Sequence, residues 1–237
     1  MNRNIFLYLP QINPSHINVN KTFIGRFDLL TRVFMNTFIL SHNYRINSTL
    51  YIYTNYKSNG LIIELNNKFI FYIKKILRSG VINEKLIIEL IKKILNYKLG
   101  YSTDKPSYIG IDKKMHKIDG YEVYKQNGII DDIFLNKLLP DENINVVLKL
   151  IEDGEYNNIS ILKYLTNIKK NINPMNIVVL LGGRDDVDPN IIDKITEYIT
   201  KKEHKKYNKY ITVKFGNRHY LASSIAFLIN FILDKID

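Results

Sequence analysis

The sequence predicts an α/β fold on a mainly parallel sheet, and three observations carry that reading. Short apolar runs alternate with stretches of helical periodicity along the chain. The run Ile177–Leu181 is apolar at every position, as a strand covered on both faces requires. Late strands stop at glycine, at Gly182-Gly183 and again at Gly216-Asn217. In such sheets ligands collect at the carboxyl ends of the strands. That singles out Gly182-Gly183-Arg184 and Phe215 to Tyr220.

In order, Ile5–Leu9 reads as a short buried strand closed by Pro10. After a polar, Asn-rich loop, Gly25 punctuates the entry to a helix. Phe27, Leu30, Phe34 and Phe38 recur there at helical spacing with Leu29 and Val33, and the helix is expected to end near Ser41-His42-Asn43. Leu50–Tyr53 and Leu61–Leu65 are strands joined by the turn Ser58-Asn59-Gly60. Phe69–Ile73 extends the apolar pattern. Asn83 is placed to cap a helix from Glu84 to Leu99 with Leu86, Ile87, Leu90, Ile91 and Ile94 inward. Gly100–Pro140 is the least regular stretch, read as loops, one short strand and a short helix at Asp131–Leu139. Ile144–Glu152 reads as a helix closed by Gly154, and Ile159–Leu162 as a short strand. Asp188-Pro189 opens a helix with a stripe of Ile191, Ile192, Ile195 and Ile199. Tyr210–Phe215 is a strand, and a final helix runs from about Tyr220 to Leu233. The whole is one domain over 1–237, with an insertion around 100–145.

Composition narrows the function. At 46% hydrophobic residues the chain can bury a core, and no stretch of about 20 uncharged apolar residues suggests a transmembrane span. The apolar run before Pro10 is too short for a signal peptide, so a soluble, cytoplasmic protein is expected. Cysteine is absent, which excludes disulfides, thiolate metal sites and a cysteine nucleophile. The five histidines form no HxxxH or HxH pair, and no metal is expected. The net charge of +11 suits a polyanionic partner. A compositional bias toward Lys, Ile, Asn and Tyr would produce the same charge without selection for nucleic acid.

Neither GxGxxG nor GxxxxGK[ST] occurs, which removes the dinucleotide fingerprint and the P-loop. Gly182-Gly183 serves either a ligand approaching the bare backbone or a tight turn. Phe215-Gly216-Asn217-Arg218-His219-Tyr220 lies between a strand and a helix, where free N–H groups can hold a ligand's polar edge; the alternative is a loop with stray cations. Arg26, Asp28 and Arg32 gather at one helix start. The arginines can grip phosphates and Asp28 can orient one or act as a base; the plainer reading is a solvated helix face with a local ion pair. His42 suits a helix C-cap, which leaves His219 the better functional histidine. The basic run Lys201-Lys202-Glu203-His204-Lys205-Lys206 is either an RNA-backbone contact or a solvated loop.

Three segments together resemble one family. Gly25-Arg26-Phe27-Asp28-Leu29-Leu30-Thr31-Arg32 followed by Phe38-Ile39-Leu40-Ser41-His42 is similar to the GRxDLLxR…FxLSH signature of the archaeal tRNA pseudouridine N1-methyltransferases, members of the SPOUT superfamily. Val178–Gly182 resembles that family's strand and glycine, and Leu221-Ala222 with Phe227–Asp234 resembles its terminal helix. The resemblance implies a C-terminal trefoil knot, a homodimer, S-adenosylmethionine as methyl donor and tRNA as substrate, with N1-methylation of pseudouridine in the TΨC loop. The positions matching its cofactor contacts are Leu162, Gly182, Phe215, Gly216, Asn217, Arg218, His219, Tyr220 and Ile225. With pseudouridine as target, Asp28 is the candidate for orienting or accepting the N1 proton and Arg26 for stabilising the anion, and Arg32, Lys201 and Lys202 are the candidate RNA contacts. The chain departs from the pattern at Gly183-Arg184, where the family has Asp-His, and at Leu221, where it has histidine. Another SPOUT methyltransferase acting on rRNA or tRNA, or an RNA-binding relative without catalysis, are the alternatives.

Overall fold

The computed structural model describes residues 1–12, 17, 26–40, 43–57, 59–77, 82–110, 112–151, 154–171, 174–183, 186–201, 208–215 and 222–236. Along the chain run β1 (Asn2–Tyr8), α1 (Phe27–Phe38), β2 (Ser48–Tyr56), β3 (Asn59–Leu65), α2 (Asn67–Leu77) and α3 (Glu84–Lys98). The middle holds β4 (Ser107–Ile109), β5 (Met115–Lys117), β6 (Tyr121–Lys125) and α4 (Asp132–Leu138). The last third comprises β7 (Ile144–Leu150), β8 (Tyr156–Asn157), α5 (Asn158–Asn171), β9 (Met175–Gly182), α6 (Pro189–Lys201), β10 (Lys209–Lys214) and α7 (Ala222–Asp234).

One sheet of eight strands, in the order β6-β3-β2-β1-β9-β7-β10-β8, organises the chain. From β2 to β8 neighbouring strands are parallel. The hairpin partner β3 and the edge strand β6 are antiparallel. The alternation along β1 shows why helices cover both faces. Ile5 and Leu7 point into one core with α1, α2, α3, α5 and α7, while Phe6 and Tyr8 point into a second core with α4 and α6. Asn83 caps α3 as its sequence predicts, accepting from the Leu86 N–H at 2.9 Å, a bond worth about 1 kcal/mol.

Two expectations are overturned, and both by burial. Ile144–Glu152 is not a helix. Ile144, Val147, Leu148 and Ile151 happen to fall at helical spacing, but Val146, Val147 and Leu148 are fully buried and β7 lies between β9 and β10. A strand covered on both faces is apolar in every direction, so periodicity cannot identify it. Conversely, Ile159–Leu162 is the first turn of α5, whose Ile161 and Leu165 are the buried stripe. Asn157 caps that turn by accepting from Ile159 N at 3.0 Å and Ser160 N at 2.9 Å. Smaller differences follow. The helix begun at Phe27 stops at Phe38, before the expected Ser41-His42-Asn43, of which Ser41 and His42 lie outside the described residues. Phe69–Ile73 is helical, and the stretch 100–140 contains three short strands rather than one.

At the amino ends of the central strands a buried amide chain closes the sheet. Asn4 donates to Asn176, which donates in turn to Asn145 Oδ1 at 2.8 Å and to Leu138 O at 2.9 Å. Beside it Asp234 accepts from Arg3 and from Arg45, the latter at 2.7 Å. Burial pushes the Asp234 carboxyl up, but the hydrogen bonds from Arg45 and Arg3 outweigh it and hold the group below the usual carboxylate range.

Candidate active site

At the opposite edge β1 ends at Tyr8, β9 at Gly182, β7 at Leu150 and β10 at Lys214. Helix α1 follows the exit of β1, α7 follows the exit of β10, and the two helices pack together. Asn36 on α1 donates to Ser223 O at 2.8 Å, and the buried Asn230 of α7 donates to Asn36 O at 3.0 Å. These amides fix the start of one helix against the other.

The start of α1 is unusual in three ways. Arg26, at the N-cap, adopts left-handed backbone with φ 62 and offers no side-chain cap, a conformation that costs a non-glycine residue about 1 kcal/mol or more. Asp28 stands in the first turn, where the positive end of the helix dipole favours an anion. Its Oδ1 is shielded from water and accepts no hydrogen bond from the described residues, while Arg26 Nε stands 3.5 Å away as an ion-pair partner. Arg32 follows one turn later and lines a cavity of about 480 Å³ with Met35, Asn36, Glu84, Ser223 and Phe227. Asp28 and Arg32, four residues apart, thus share one side of α1, with Arg26 paired to Asp28 from the N-cap.

A second cavity, of about 660 Å³, opens where β10, α5 and α7 meet. It contains Leu162 and Phe215, two of the expected cofactor contacts, beside Asn158, Ile159, Lys214 and Phe231. Ile225 is half-buried on α7, one turn before Leu228, which lines both cavities. Gly182 closes β9, one strand removed from β10, and is not part of the lining. Its neighbour Gly183 has a packing role: a Cβ there would lie 2.4 Å from the Leu9 side chain and 3.0 Å from Tyr8 O. The expected contacts Gly216, Asn217, Arg218, His219 and Tyr220, together with Gly25, Arg184 and Lys202, lie outside the described residues. Lys201 is exposed at the end of α6, on the sheet face opposite α1, so it does not join Arg32.

Sequence reading did not single out Asn158, Lys214, Phe231 or Asn36. Asn157-Asn158-Ile159-Ser160 carried a capping signal, which the strand assignment hid. The phenol of Tyr53, stacked on Tyr8 at 5.1 Å, is pushed up to about 12 by burial and by the neighbouring Tyr8 and Asp188, so it stays protonated at neutral pH. Among the described residues no three His, Cys, Asp or Glu side chains gather as a metal site. No described helix is long and apolar enough to cross a membrane.

The architecture is therefore a mixed α/β fold with a mostly parallel eight-stranded sheet, with one cavity between α1 and α7 and another between β10, α5 and α7. Among solved structures it is similar to Nep1 from Archaeoglobus fulgidus bound to S-adenosylhomocysteine, with a TM-score of 0.55 at 12% identity, over 99% of this chain and 98% of that one. No family model matches the sequence, and no curated protein matches it. At this identity the likeness establishes the fold.

Proposed function

We propose that the chain is an S-adenosylmethionine-dependent RNA methyltransferase that methylates N1 of pseudouridine, with the TΨC loop of tRNA as substrate. The observation that carries this is the end-to-end likeness to a fold solved with S-adenosylhomocysteine, the product left when the donor has lost its methyl. The GRFDLLTR segment adds the chemistry. Leu162 and Phe215 offer apolar walls for the cofactor, and the family resemblance adds Gly182, Ile225 and the segment Gly216–Tyr220 to its site and a C-terminal trefoil knot to the fold. The cofactor supplies an electrophilic methyl group.

Pseudouridine carries an N1–H that uridine lacks. Asp28 accepts that proton as the N1–methyl bond forms and the sulfur–methyl bond breaks. Arg26, 3.5 Å from the carboxylate, offsets the negative charge on the base. The target nucleotide must leave its stack to reach them. Arg32 holds phosphate beside the cavities, and Lys201, on the opposite sheet face, holds with Lys202 a separate stretch of the RNA backbone. Phe227, Phe231 and Ile159, exposed at 57%, 50% and 62%, form an apolar rim beside both cavities, and a second copy covering it makes the homodimer.

The test is transfer of labelled methyl to a tRNA carrying pseudouridine in the TΨC loop, against the same RNA carrying uridine. Label only in the first, recovered as N1-methylpseudouridine, is expected. Label in an rRNA hairpin alone moves the substrate. RNA binding without label favours the noncatalytic reading, to which Gly183-Arg184 and Leu221 lend some support.

A further inference from the structure

The positive charge of this chain lies mainly in two stretches of the sequence. Residues 67–125 contain thirteen Lys and Arg against six Asp and Glu, so a quarter of the sequence supplies +7 of the net +11. This segment is α2, α3, the β4–β5 hairpin and β6; β6 is the antiparallel edge strand and β4–β5 forms a separate two-stranded sheet. Residues 160–218 carry a similar excess, twelve Lys and Arg against six Asp and Glu, so it is the shape of the hairpin and not charge alone that singles out this segment.

The hairpin has two distinct faces. Cross-strand partners in an antiparallel pair share a face, and here Tyr108 opposes His116 while Ile109 opposes Met115 and Ser107 opposes Lys117. The Tyr108–His116 side is tied to the protein. Lys93 of α3 lies 5.3 Å from the Tyr108 ring centre and donates to Ser107 O at 2.9 Å. Tyr72 of α2 donates to His116 O at 3.2 Å, and the His116 ring is bonded to Asp112 at 3.0 Å. The other side is free of such ties: Ile109 is 62% exposed, Met115 is 72% exposed, and Lys117 is exposed between them and the body. The turn adds Lys113, at φ 59, and Lys114, both exposed. An anchored finger thus presents two unshielded apolar side chains inside a ring of three ammonium groups.

From this we infer that the β4–β5 hairpin is an RNA-docking finger, in which Lys113, Lys114 and Lys117 contact backbone phosphates and Ile109 and Met115 lie against ribose or an unstacked base. Phosphate contact explains the lysines, and apolar side chains that wedge against bases are a known way for proteins to hold distorted nucleic acid. A protein partner would be expected to meet aromatic and arginine anchors rather than a lysine ring. The inference rests on the reading that the substrate is RNA and adds where that RNA is held.

The test is fluorescence-anisotropy binding of a stem–loop RNA at several salt concentrations. Three proteins are compared: the wild type, K113A/K114A/K117A, and a control, K163A/K170A/K209A, that removes the same charge from exposed lysines elsewhere. The finger variant should bind at least about 10-fold more weakly, and its slope of log K against log salt should fall by about 2–3, as three lost phosphate contacts require. The control should stay within about 2-fold at moderate salt. K113R/K114R/K117R should bind like the wild type, and I109A/M115A should weaken binding with the slope unchanged. If finger and control variants lose affinity equally, the assignment is overturned and charge acts diffusely. If the wild type binds no RNA, or prefers phosphatidylserine vesicles, the RNA reading itself falls.

Discussion

The two edges of the central sheet are built from the same strands yet are held differently. At the amino edge Asn4, Asn176 and Asn145 satisfy one another in a dry setting, and two arginines converge on Asp234. At the carboxyl edge Arg26 is held in left-handed backbone, a carboxylate oxygen of Asp28 is shielded without a hydrogen bond from the described residues, and open cavities adjoin the helices. Polar groups that are paired and buried hold a fold. Buried atoms without a partner among the described residues occur at the amino edge too, at Ser48 Oγ and Asn208 Nδ2, so what sets the carboxyl edge apart is a strained helix start beside open cavities.

Substitutions should separate these roles, and the largest effect belongs to the carboxyl edge. Asp28→Asn keeps the shape and removes the proton acceptor, so methyl transfer should slow by about 100-fold or more, with cofactor affinity and melting temperature near wild type. Single-turnover rates beside a thermal melt check this, and an unchanged rate would remove Asp28 from the mechanism. Asn176→Ala should do the reverse. It leaves the amides of Asn4 and Asn145 without their partner in a site 1% exposed, a loss of about 2–4 kcal/mol. For a domain of this size that lowers Tm by roughly 5–15 °C, while residual folded protein binds cofactor normally.

A smaller effect tests the cavity. Leu162→Ala should weaken S-adenosylmethionine by about 10-fold, consistent with truncating one buried apolar contact of about 1–3 kcal/mol, as calorimetry can measure. The smallest concerns acid. The folded pKa of Asp234 lies below its ordinary value, so its contribution to stability is full above about pH 4 and is lost as pH falls through the folded value. The Tm gap between wild type and Asp234→Asn should therefore be present at pH 7 and close on acidification below pH 4. A gap that is the same at every pH would show that the carboxylate's charge is not what Arg3 and Arg45 hold.

How legible each edge was follows from the kind of signal it carries. Local signals survived intact: the Phe27–Phe38 stripe, the Asn83 cap and the apolar run of β9 are features of short windows. The β7 strand was misread because a segment buried on all sides has no period to betray it, and only its place between β9 and β10 decides its form. Arg26, Asp28 and Arg32 were legible as a group because they fall within seven residues, with Asp28 and Arg32 one helical turn apart. The meeting of Leu162 with Phe215 was expected from resemblance alone, since nothing local links α5 to the end of β10. The amide chain of Asn4, Asn176 and Asn145 left no trace in the sequence, because its members come from three separate strands.

The central claim is that the carboxyl edge holds S-adenosylmethionine, and the most direct test is a calorimetric titration of the purified chain with that cofactor. Saturable binding with a micromolar Kd, one site per chain and tighter for S-adenosylhomocysteine than for adenosine, is the predicted result. Folded protein that gives no binding heat or stability shift at millimolar cofactor would contradict it.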